Sequence, residues 1–448
     1  MASDLQGGTG PSNGGEPTNL RLLFQDLKVR IHHKLIDTID LTKLSSLELG
    51  MVKSEIRRIL EELVMSESLP LSRVDREKLV MEVQDEVFGL GPLEILMMDD
   101  EITDILINTH SLVYVERHGK LEKTDVRFRN DAHLMQIIDK IVSRIGRRID
   151  ESSPMVDARL SDGSRVNAVI PPLALDGPIV SIRRFGAQPL TMRDLIQSNS
   201  IPEQVADVMR GCVIAKLNIL VSGGTGAGKT TLLNCLSNYV PDQERIVTIE
   251  DSAELKLQQA HVVRLETRPP NIEGTGLVTA RDLVRNSLRM RPDRIIVGEV
   301  RGGEALDMMQ AMNTGHDGSI STIHANTSRD ALSRLETMIS MVGISLSEKA
   351  VREQIASALN VIVQLSRVGD GSRKLIEFSE VSGMEGNTIT TQLIFKFEQR
   401  GIENGKVIGD FVATGVRPKF IDRLQSHGVN IPSTYFMPIA LSPRENAL

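Results

Sequence analysis

The sequence has few cysteines and few aromatic residues, and both shortages exclude classes of protein. With only Cys212 and Cys235 among 448 residues, neither a disulfide framework nor a zinc site is predicted. There is no tryptophan, aromatic residues make up 3%, and the formal net charge is −7. Few stacking platforms and no broad basic surface are therefore available to a nucleic acid, so direct nucleic-acid binding is not expected.

Apolar runs that could cross a membrane are also missing. Runs such as residues 214–221 are interrupted by Lys216 and Asn218, and the N-terminus lacks a basic segment followed by an apolar core. With 40% hydrophobic and 25% charged residues, the composition is that of an ordinary soluble protein. We therefore expect a cytoplasmic protein with about three domains, at ~150 residues per domain.

Changes in composition along the chain predict five segments. Residues 1–19 are rich in Gly, Ser, Asn and Pro, which predicts a disordered tail. Amphipathic patterns in residues 20–100 favour an N-terminal helical bundle, although one apolar stripe could instead dock a partner. Extended runs around one helical pattern in residues 101–186 predict a small mixed α/β domain. Residues 187–200 are expected to be a linker, and residues 201–448 a nucleotide-binding domain.

Two local expectations in the first half of the chain are specific enough to test. The third helical pattern of the bundle runs through Val74, Val83 and Val87 and is expected to end at Gly89. In the mixed domain, the strand after the second extended run is expected at Val126–Phe128.

From residue 201 onward, helical patterns alternate with short apolar runs. Such alternation predicts a largely parallel sheet with helices on its faces. The expected strands are Ile219–Val221, Ile246–Ile249, Val262–Leu265, Ile295–Val297, Ser319–Ile323 and Val361–Leu365. Beyond residue 369, a strand-like run at 389–397 and a helical stretch at 420–427 have no predicted chemical role.

The most informative stretch is GGTGAGKT, which directly follows the expected strand at 219–221. It fits GxxxxGK[ST], a loop whose backbone N–H groups point inward at a helix N-terminus and cradle phosphate. Lys229 is expected to reach the β- and γ-phosphates of ATP, and the Thr230 hydroxyl to be a ligand of Mg²⁺. The predicted phosphate-binding residues are Gly223, Gly224, Thr225, Gly226, Ala227, Gly228, Lys229, Thr230 and Thr231.

Acidic residues follow two of the expected strands. Glu250 and Asp251 end the first, with Glu254 shortly after, and Glu299 ends the second. Carboxylates at strand ends beside a phosphate loop can anchor the water shell of Mg²⁺ or accept a proton from an attacking water. Helix N-termini also favour acids, but two such strands in one domain favour a catalytic site.

A histidine and three arginines are further candidates. His324 ends the expected strand 319–323, where an imidazole can sense a γ-phosphate through a hydrogen bond, although a lone histidine is commonly a packed structural residue. Arg165, Arg183 and Arg184 precede the nucleotide domain. A guanidinium that reaches the γ-phosphate neutralises charge in the transition state; the alternative is that they are ordinary surface arginines.

Four blocks now stand in a fixed order: GGTGAGKT, TIEDSAEL, RPDRIIVGEVR and TGHDGSISTIHANTS. They resemble the Walker A, Asp box, Walker B and His box motifs of the secretion ATPase superfamily of type II secretion, type IV pili and type IV secretion. DGSRVN, IPPLALDGP and SIRRF extend the resemblance upstream. The sequence looks most like the Tad (tight adherence) pilus assembly ATPases. A four-cysteine zinc element is missing, the spacing from His316 to His324 is one residue longer than in twitching retraction ATPases, and a helical module precedes the small α/β domain.

The resemblance implies a fold class and roles for particular residues. It implies an α/β chain with a RecA-like P-loop ATPase domain, preceded by a small mixed α/β (PAS-like) domain and an N-terminal helical bundle. Glu254 resembles the general base, Glu299 the Walker B glutamate that orients the metal through water, and His324 the γ-phosphate sensor. The implied phosphate and metal ligands are Lys229 and Thr230, and Arg165, Arg183 and Arg184 resemble arginines that close over the nucleotide.

The hypothesis that follows is a hexameric motor. The resemblance implies a homohexamer that uses ATP and Mg²⁺ to drive pilin polymerisation, and in one version also retraction, through inner-membrane pilus platform proteins. Such a protein would work at the cytoplasmic face of the inner membrane. The alternatives are a type II or type IV secretion ATPase for protein or DNA export, a RecA-like nucleic-acid motor, and a nucleotide switch without motor activity.

Overall fold

The computed structural model describes residues 16–38, 49–67, 71–117, 119–144, 146–184, 190–270, 274–343, 346–438 and 440–441. The chain divides into two compact units, Met1–Phe185 and Gly186–Leu448. Residues 1–15 of the expected tail, and residues 187–189 of the expected linker 187–200, lie outside the described residues. Within the described part of that linker, Met192–Gln197 forms a helix. A helix begins at Glu16, inside the segment expected to be disordered. Within the described ranges, no helix is long and apolar enough to cross a membrane.

The described part of the first unit begins with a helical bundle. Its helices are α1 (Glu16–Thr38), α2 (Leu49–Met65) and α3 (Arg73–Phe88). Their apolar stripes pack into one core, as the sequence predicts. The α3 pattern is wrong at Val74, which is 73% exposed, because the buried stripe of α3 begins one turn later at Leu79 and Val80. Gly89 caps the helix, as expected.

An antiparallel sheet follows the bundle. Its elements are α4 (Glu94–Met97), β1 (Ile102–Thr109), β2 (Leu112–Arg117), β3 (Lys120–Lys123), α5 (Asp131–Ser143), β4 (Met155–Arg159), β5 (Arg165–Val169) and β6 (Ile179–Arg183). The strand order is β3-β2-β1-β6-β5-β4, and one face of the sheet packs on α5. The strand expected at Val126–Phe128 is wrong. The strand that pairs with β2 is instead β3, which comes earlier in the chain. Its residues are exposed and mostly charged, so no apolar pattern indicates a strand there.

A buried polar network joins the bundle to the sheet of the same unit. The carboxylate of Glu86 on α3 lies 3.0 Å from the Lys28 amine and 2.9 Å from Nε2 of His133 on α5. Burial raises the pKa of Glu86, but the hydrogen bond with His133 and the charge of Lys28 outweigh it and lower the pKa to about 2. The Lys140 amine donates to the carbonyl oxygens of Glu86 and Val87. Separating the bundle from the sheet would leave buried charged groups without their partners, which costs free energy, so this network holds the two together.

The second unit is built on one large mixed sheet. Its elements are α6 (Met192–Gln197), α7 (Glu203–Ile214), β7 (Ile219–Gly223), α8 (Lys229–Ser237), β8 (Ile246–Glu250), β9 (Val262–Glu266), α9 (Ala280–Ser287), β10 (Arg294–Val300), α10 (Glu304–Asn313), β11 (Ile320–Ile323), α11 (Ser328–Ser340), α12 (Glu348–Ala358), β12 (Val361–Arg367), β13 (Arg373–Glu385), β14 (Thr388–Glu403), β15 (Lys406–Ala413), α13 (Ile421–Ser426) and β16 (Ala440–Leu441). In the described residues the strand order is β16-β15-β14-β13-β12-β7-β11-β10-β8-β9.

The strands predicted between residues 219 and 365 are all present, and they pair with one another in parallel. Helices α6 to α8 and α13 pack on one face, and α9 to α12 on the other, which confirms the predicted layers. The predicted run at 389–397 lies in β14, and the helical stretch at 420–427 contains α13. Strands β13 and β15, which extend the sheet with antiparallel pairs, were not predicted.

A buried asparagine aligns the starts of the central strands. Asn218, 2% exposed, donates its side-chain amide to the carbonyl of Ala358, and its Oδ1 accepts from the N–H groups of Gly318 and Ser319. These contacts fix β7 relative to the segments that lead into β11 and β12. Because the strands are parallel and aligned at their starts, their carboxyl ends meet at one edge of the sheet.

Candidate phosphate site at the carboxyl edge of the sheet

The GGTGAGKT loop connects β7 to α8 at that edge. Gly228 has φ +96°, a left-handed conformation that favours glycine, and it caps α8 at its N-terminus. The Lys229 side chain turns back into the loop, where Nζ donates to the carbonyl oxygens of Gly223 (2.9 Å) and Gly224 (3.1 Å). Burial lowers the pKa of Lys229, and the charge of Glu299 opposes this. The loop therefore holds a buried cation at the positive end of a helix, as expected of a phosphate cradle.

Glu299 lies across the edge from this lysine. It is the last residue but one of β10, and its Oε1 is 3.9 Å from Lys229 Nζ. The register between β10 and β11 shifts between Val297 and Val300, and the Thr322 hydroxyl donates to the Gly298 carbonyl within the shift. Such an irregularity re-aims the side chain next to it. The structure thus brings together the lysine and the glutamate that the sequence assigns to phosphate and metal.

Arg301 connects the two acidic strand ends. Its Nη2 lies 2.5 Å from Oε2 of Glu299, and its Nη1 donates to Oδ2 of Asp251 at 3.0 Å. Burial lowers the pKa of Arg301, but the hydrogen bond with Glu299 and the charges of Glu299, Asp251 and Glu254 raise it overall. The sequence assigned no role to this arginine. Its position two residues after Glu299, in the same strand-end motif, is the signal that could have identified it.

Glu250 holds the backbone at Glu254. The buried Glu250 side chain accepts from the N–H groups of Glu254 (2.7 Å) and Leu255 (3.0 Å). Burial raises its pKa to about 7, while the two backbone hydrogen bonds oppose the rise. A Cβ on Gly298 would lie 2.8 Å from Cγ of Glu250, so glycine is needed where β10 passes this side chain. Glu254 itself is half-buried, and its placement depends on Glu250, which the sequence analysis considered only as a strand-end acid for metal or proton transfer.

His324 follows β11, the strand between β7 and β10. Ile323 pairs in register with Ser222, the residue just before the phosphate loop. His324, the next residue, is therefore level with the start of that loop. The buried Gln364 of β12 donates to the carbonyl oxygens of Ala325 and Asn326, which fixes the segment that carries the histidine. His324 therefore reaches the same edge as the lysine and the acids.

The candidate metal ligands are few. The described residues contain no group of three or more His, Cys, Asp and Glu side chains that could hold a metal ion. Mg²⁺ does not need such a group, because it is commonly bound by one or two protein oxygens together with phosphates and water. The Glu299 carboxylate and the Thr230 hydroxyl, the second residue of α8, have the oxygen chemistry that Mg²⁺ prefers, and both belong to this edge.

The three candidate arginines of the first unit have different surroundings. Arg165 and Arg183 are register partners on β5 and β6, and their side chains are 40% and 59% exposed. Each also lies near an acid, Asp157 at 3.3 Å and Asp104 at 3.2 Å. The Arg184 side chain is 11% exposed, and its Nη1 donates to the carbonyl oxygen of residue 99. The three are thus not equivalent: Arg165 and Arg183 have exposed side chains, whereas Arg184 is largely buried and bound to the main chain.

Comparisons with known proteins place the chain in a family. A model described as type II/IV secretion system protein matches residues 86–407, and one described as type II secretion system protein E, N-terminal domain, matches residues 24–88. A putative conjugal transfer protein of Mycobacterium tuberculosis is 38% identical over 310 residues, 68% of this chain and 88% of that protein. Conjugal transfer protein TrbB of Rhizobium radiobacter is 32% identical over 330 residues, 72% of this chain and 96% of that protein.

A solved structure is also similar in sequence. The VirB11 ATPase of the Brucella suis type IV secretion system is 30% identical, and the match covers 68% of this chain and 96% of that one, with a TM-score of 0.36. The first family model covers more than half of the chain, in the part that contains the phosphate loop, the acidic strand ends and the histidine segment. The chain therefore belongs to the type II/IV secretion system protein family, with a RecA-like P-loop domain, and is an ATPase.

Proposed function

We propose that this ATPase is a hexameric motor that hydrolyses ATP with Mg²⁺ to drive assembly of a Tad-type pilus through an inner-membrane platform. The observation that carries the proposal is the meeting of Lys229, Glu299 and the acidic strand end of β8 at one sheet edge, bridged by Arg301. A site of this kind supports hydrolysis rather than binding alone, because it contains carboxylates for water and metal beside the phosphate cradle. The missing zinc element, the spacing from His316 to His324 and the N-terminal helical module support the filament assignment.

Each side chain of the edge has a proposed task. Lys229, whose amine donates to the carbonyl oxygens of Gly223 and Gly224, binds the β- and γ-phosphates, to which its charge is complementary. Bound Mg²⁺ supplies charge neutralisation on the phosphates, and Thr230 and Glu299 are its proposed ligands, the latter through water. Glu254 accepts a proton from the attacking water, and His324 senses whether the γ-phosphate is present.

The arginines of the first unit are candidates for neutralising transition-state charge. Arg165 and Arg183 are the better candidates, because their side chains are exposed. We assign Arg184 a structural role, since its guanidinium is largely buried and binds the backbone carbonyl of residue 99. Its hydrogen bond to that carbonyl oxygen would be lost if the guanidinium moved to a phosphate.

A second candidate function is export of DNA or protein. It is favoured by the names of the relatives, of which two are conjugal transfer proteins. The net charge of −7 weighs against direct handling of DNA by this chain, because nucleic-acid grooves need clustered positive charge.

The two functions are separated by deleting the gene in the strain that carries it. Complementation with the wild-type gene, but not with a Lys229→Ala variant, is expected to restore surface pilin, while conjugal DNA transfer stays unchanged. The rate of ATP turnover by the purified protein is expected to stay unchanged when single-stranded or duplex DNA is added. Loss of DNA transfer with normal surface pilin, or strong stimulation of turnover by DNA, would move the export function to first place.

Removing Arg301 is expected to weaken ATP binding more than catalysis. In Arg301→Gln, the acids Asp251, Glu254 and Glu299 lose the cation between them, and their charges then oppose the incoming triphosphate. We expect KM for ATP to rise about tenfold, the order of one charge-assisted contact, with kcat changed less. Steady-state kinetics at saturating Mg²⁺ measure both constants. Arg210→Gln on α7, a half-exposed arginine paired with Asp207, is the control, and an equal KM rise in both variants would contradict the prediction.

A further inference from the structure

A hairpin of the C-terminal region carries two arginines to the phosphate loop. Strand β12 ends at Arg367 and β13 begins at Arg373, and the two residues are directly opposite each other. Strand β12 also pairs with β7, in register up to Leu365 and Gly223. The approach is so close that a Cβ on Gly223 would lie 2.7 Å from the Leu365 carbonyl oxygen. The end of this hairpin therefore lies beside the loop that the sequence assigns to phosphate.

Both guanidinium groups are close to the loop itself. Arg373 Nε donates to the carbonyl oxygen of Gly226 at 2.9 Å, and Arg373 Cδ lies 3.4 Å from the position of a Cβ on Gly228. Arg367 Nη1 lies 3.8 Å from the position of a Cβ on Gly226. The two arginines belong to a separate hairpin, whereas Lys229 is a residue of the loop itself. Three cationic side chains of one unit thus converge on a single loop.

This convergence of cations favours a bound anion. Arg367 and Arg373 are directly opposite each other in the antiparallel pair, so their side chains leave the hairpin on the same face. A triphosphate carries several negative charges, which both guanidinium groups would attract. Guanidinium forks match phosphate oxygens in geometry and donate two parallel hydrogen bonds. The arrangement is therefore the one expected of an anion site.

The turn of the hairpin is held rigidly. Asp370 accepts from the N–H groups of Ser372 and Val407, both at 2.8 Å, which ties the turn to the start of β15. The hydrogen bonds from Ser372 and Val407 lower the pKa of Asp370 to about 2. Beyond the turn, the Lys374 amine donates to the carbonyl of Asn199 at 2.5 Å. Little ordering of the backbone is then needed when a ligand binds, which favours affinity.

We propose that Arg367 binds the terminal phosphate of the ATP held by the loop, and that Arg373 holds the loop in its binding shape through the Gly226 carbonyl. The inference rests on ATP binding at the loop, as proposed above, and it assigns a chemical role to a hairpin that the sequence motifs leave without one. A group that contacts only the terminal phosphate distinguishes ATP from ADP. A group that supports the loop affects both nucleotides alike.

Calorimetric titration of the full chain with ATPγS and with ADP, each with Mg²⁺, tests the inference. Arg367→Gln is expected to weaken ATPγS binding about tenfold and ADP binding less than about threefold, because one charge-assisted contact to the terminal phosphate is lost. Arg367→Lys keeps the charge without the fork and should lie between. Arg373→Gln should weaken both nucleotides by similar factors. Arg400→Gln, on the neighbouring β14 and paired with Asp410, should change neither.

The ratio of ATPγS to ADP affinity decides the result. A fall of the ratio in Arg367→Gln but not in Arg373→Gln supports the inference, and an unchanged ratio in Arg367→Gln overturns it. Lys229→Ala separates this failure from failure of the phosphate site. If the wild type binds ATPγS no better than Lys229→Ala does, the proposed ATP site is wrong and the inference falls with it. Thermal unfolding without nucleotide, expected to be equal for the wild type and Arg367→Gln, shows that the variant is folded.

Discussion

Replacing Glu254 with glutamine is expected to lower ATP turnover by about 100-fold or more while leaving ATP binding nearly unchanged. Proton transfer to a positioned base contributes about 10² to 10⁴ to a rate, and glutamine cannot accept the proton. The substitution keeps the size of the side chain and the backbone N–H that binds Glu250 at 2.7 Å, so the local structure should persist. Steady-state phosphate release gives kcat, and a titration with ATPγS gives the affinity.

A matched acidic variant controls for the loss of one negative charge. Glu353→Gln lies on α12, where the Glu353 side chain is 56% exposed, and its turnover should stay within about twofold of the wild type, as surface changes have small effects. Full activity of Glu254→Gln would contradict its role as the base. Weak ATP binding by that variant, with kcat preserved, would instead indicate that Glu254 acts on affinity through the acidic cluster around Arg301.

Replacing Lys229 with alanine is expected to abolish measurable turnover and to weaken ATP binding by about 100-fold or more. The loop encloses the Lys229 amine, which lies 2.9 Å and 3.1 Å from two of the loop's carbonyl oxygens. The positive charge of this amine is expected to neutralise part of the negative charge of a bound triphosphate. The measurement is the shift in thermal unfolding on adding ATPγS with Mg²⁺. A ligand at about 100 times its Kd stabilises a fold by about 2.7 kcal/mol, and this stabilisation should vanish in the variant.

The two variants are expected to separate loss of catalysis from loss of nucleotide binding. Glu254→Gln should retain the thermal shift with ATPγS, and Lys229→Ala should lose it, although both lose turnover. Lys349→Ala, which removes a lysine whose side chain is 62% exposed on α12, should retain both properties. A retained shift in Lys229→Ala would show that the phosphates bind elsewhere.

The order of elements along the chain followed from local pattern, but some features of the first unit did not. Strand β3 consists of exposed residues without apolar alternation, and only its pairing with β2 makes it a strand. Val74 fits a helical stripe in sequence, yet it lies in the first turn of α3, beyond the buried part of the bundle. Periodicity reports which positions could be buried, whereas burial itself depends on where the neighbouring elements end.

The sequence by itself determined the phosphate loop, the parallel strands and the identity of the strand-end acids. These features depend on consecutive residues: GGTGAGKT specifies its own turn and helix start, and each buried strand is a short apolar run. Membership of the secretion ATPase family likewise followed from motifs read in order.

Only the tertiary structure decided which other residues complete the edge. Arg301 joins the ends of two strands, Arg373 comes from a hairpin more than 140 residues after the loop, and Arg184 differs from Arg183 because successive side chains of a strand point to opposite faces. Such contacts join residues that are distant in sequence. They are set by strand order and register, which no local pattern of residue types encodes.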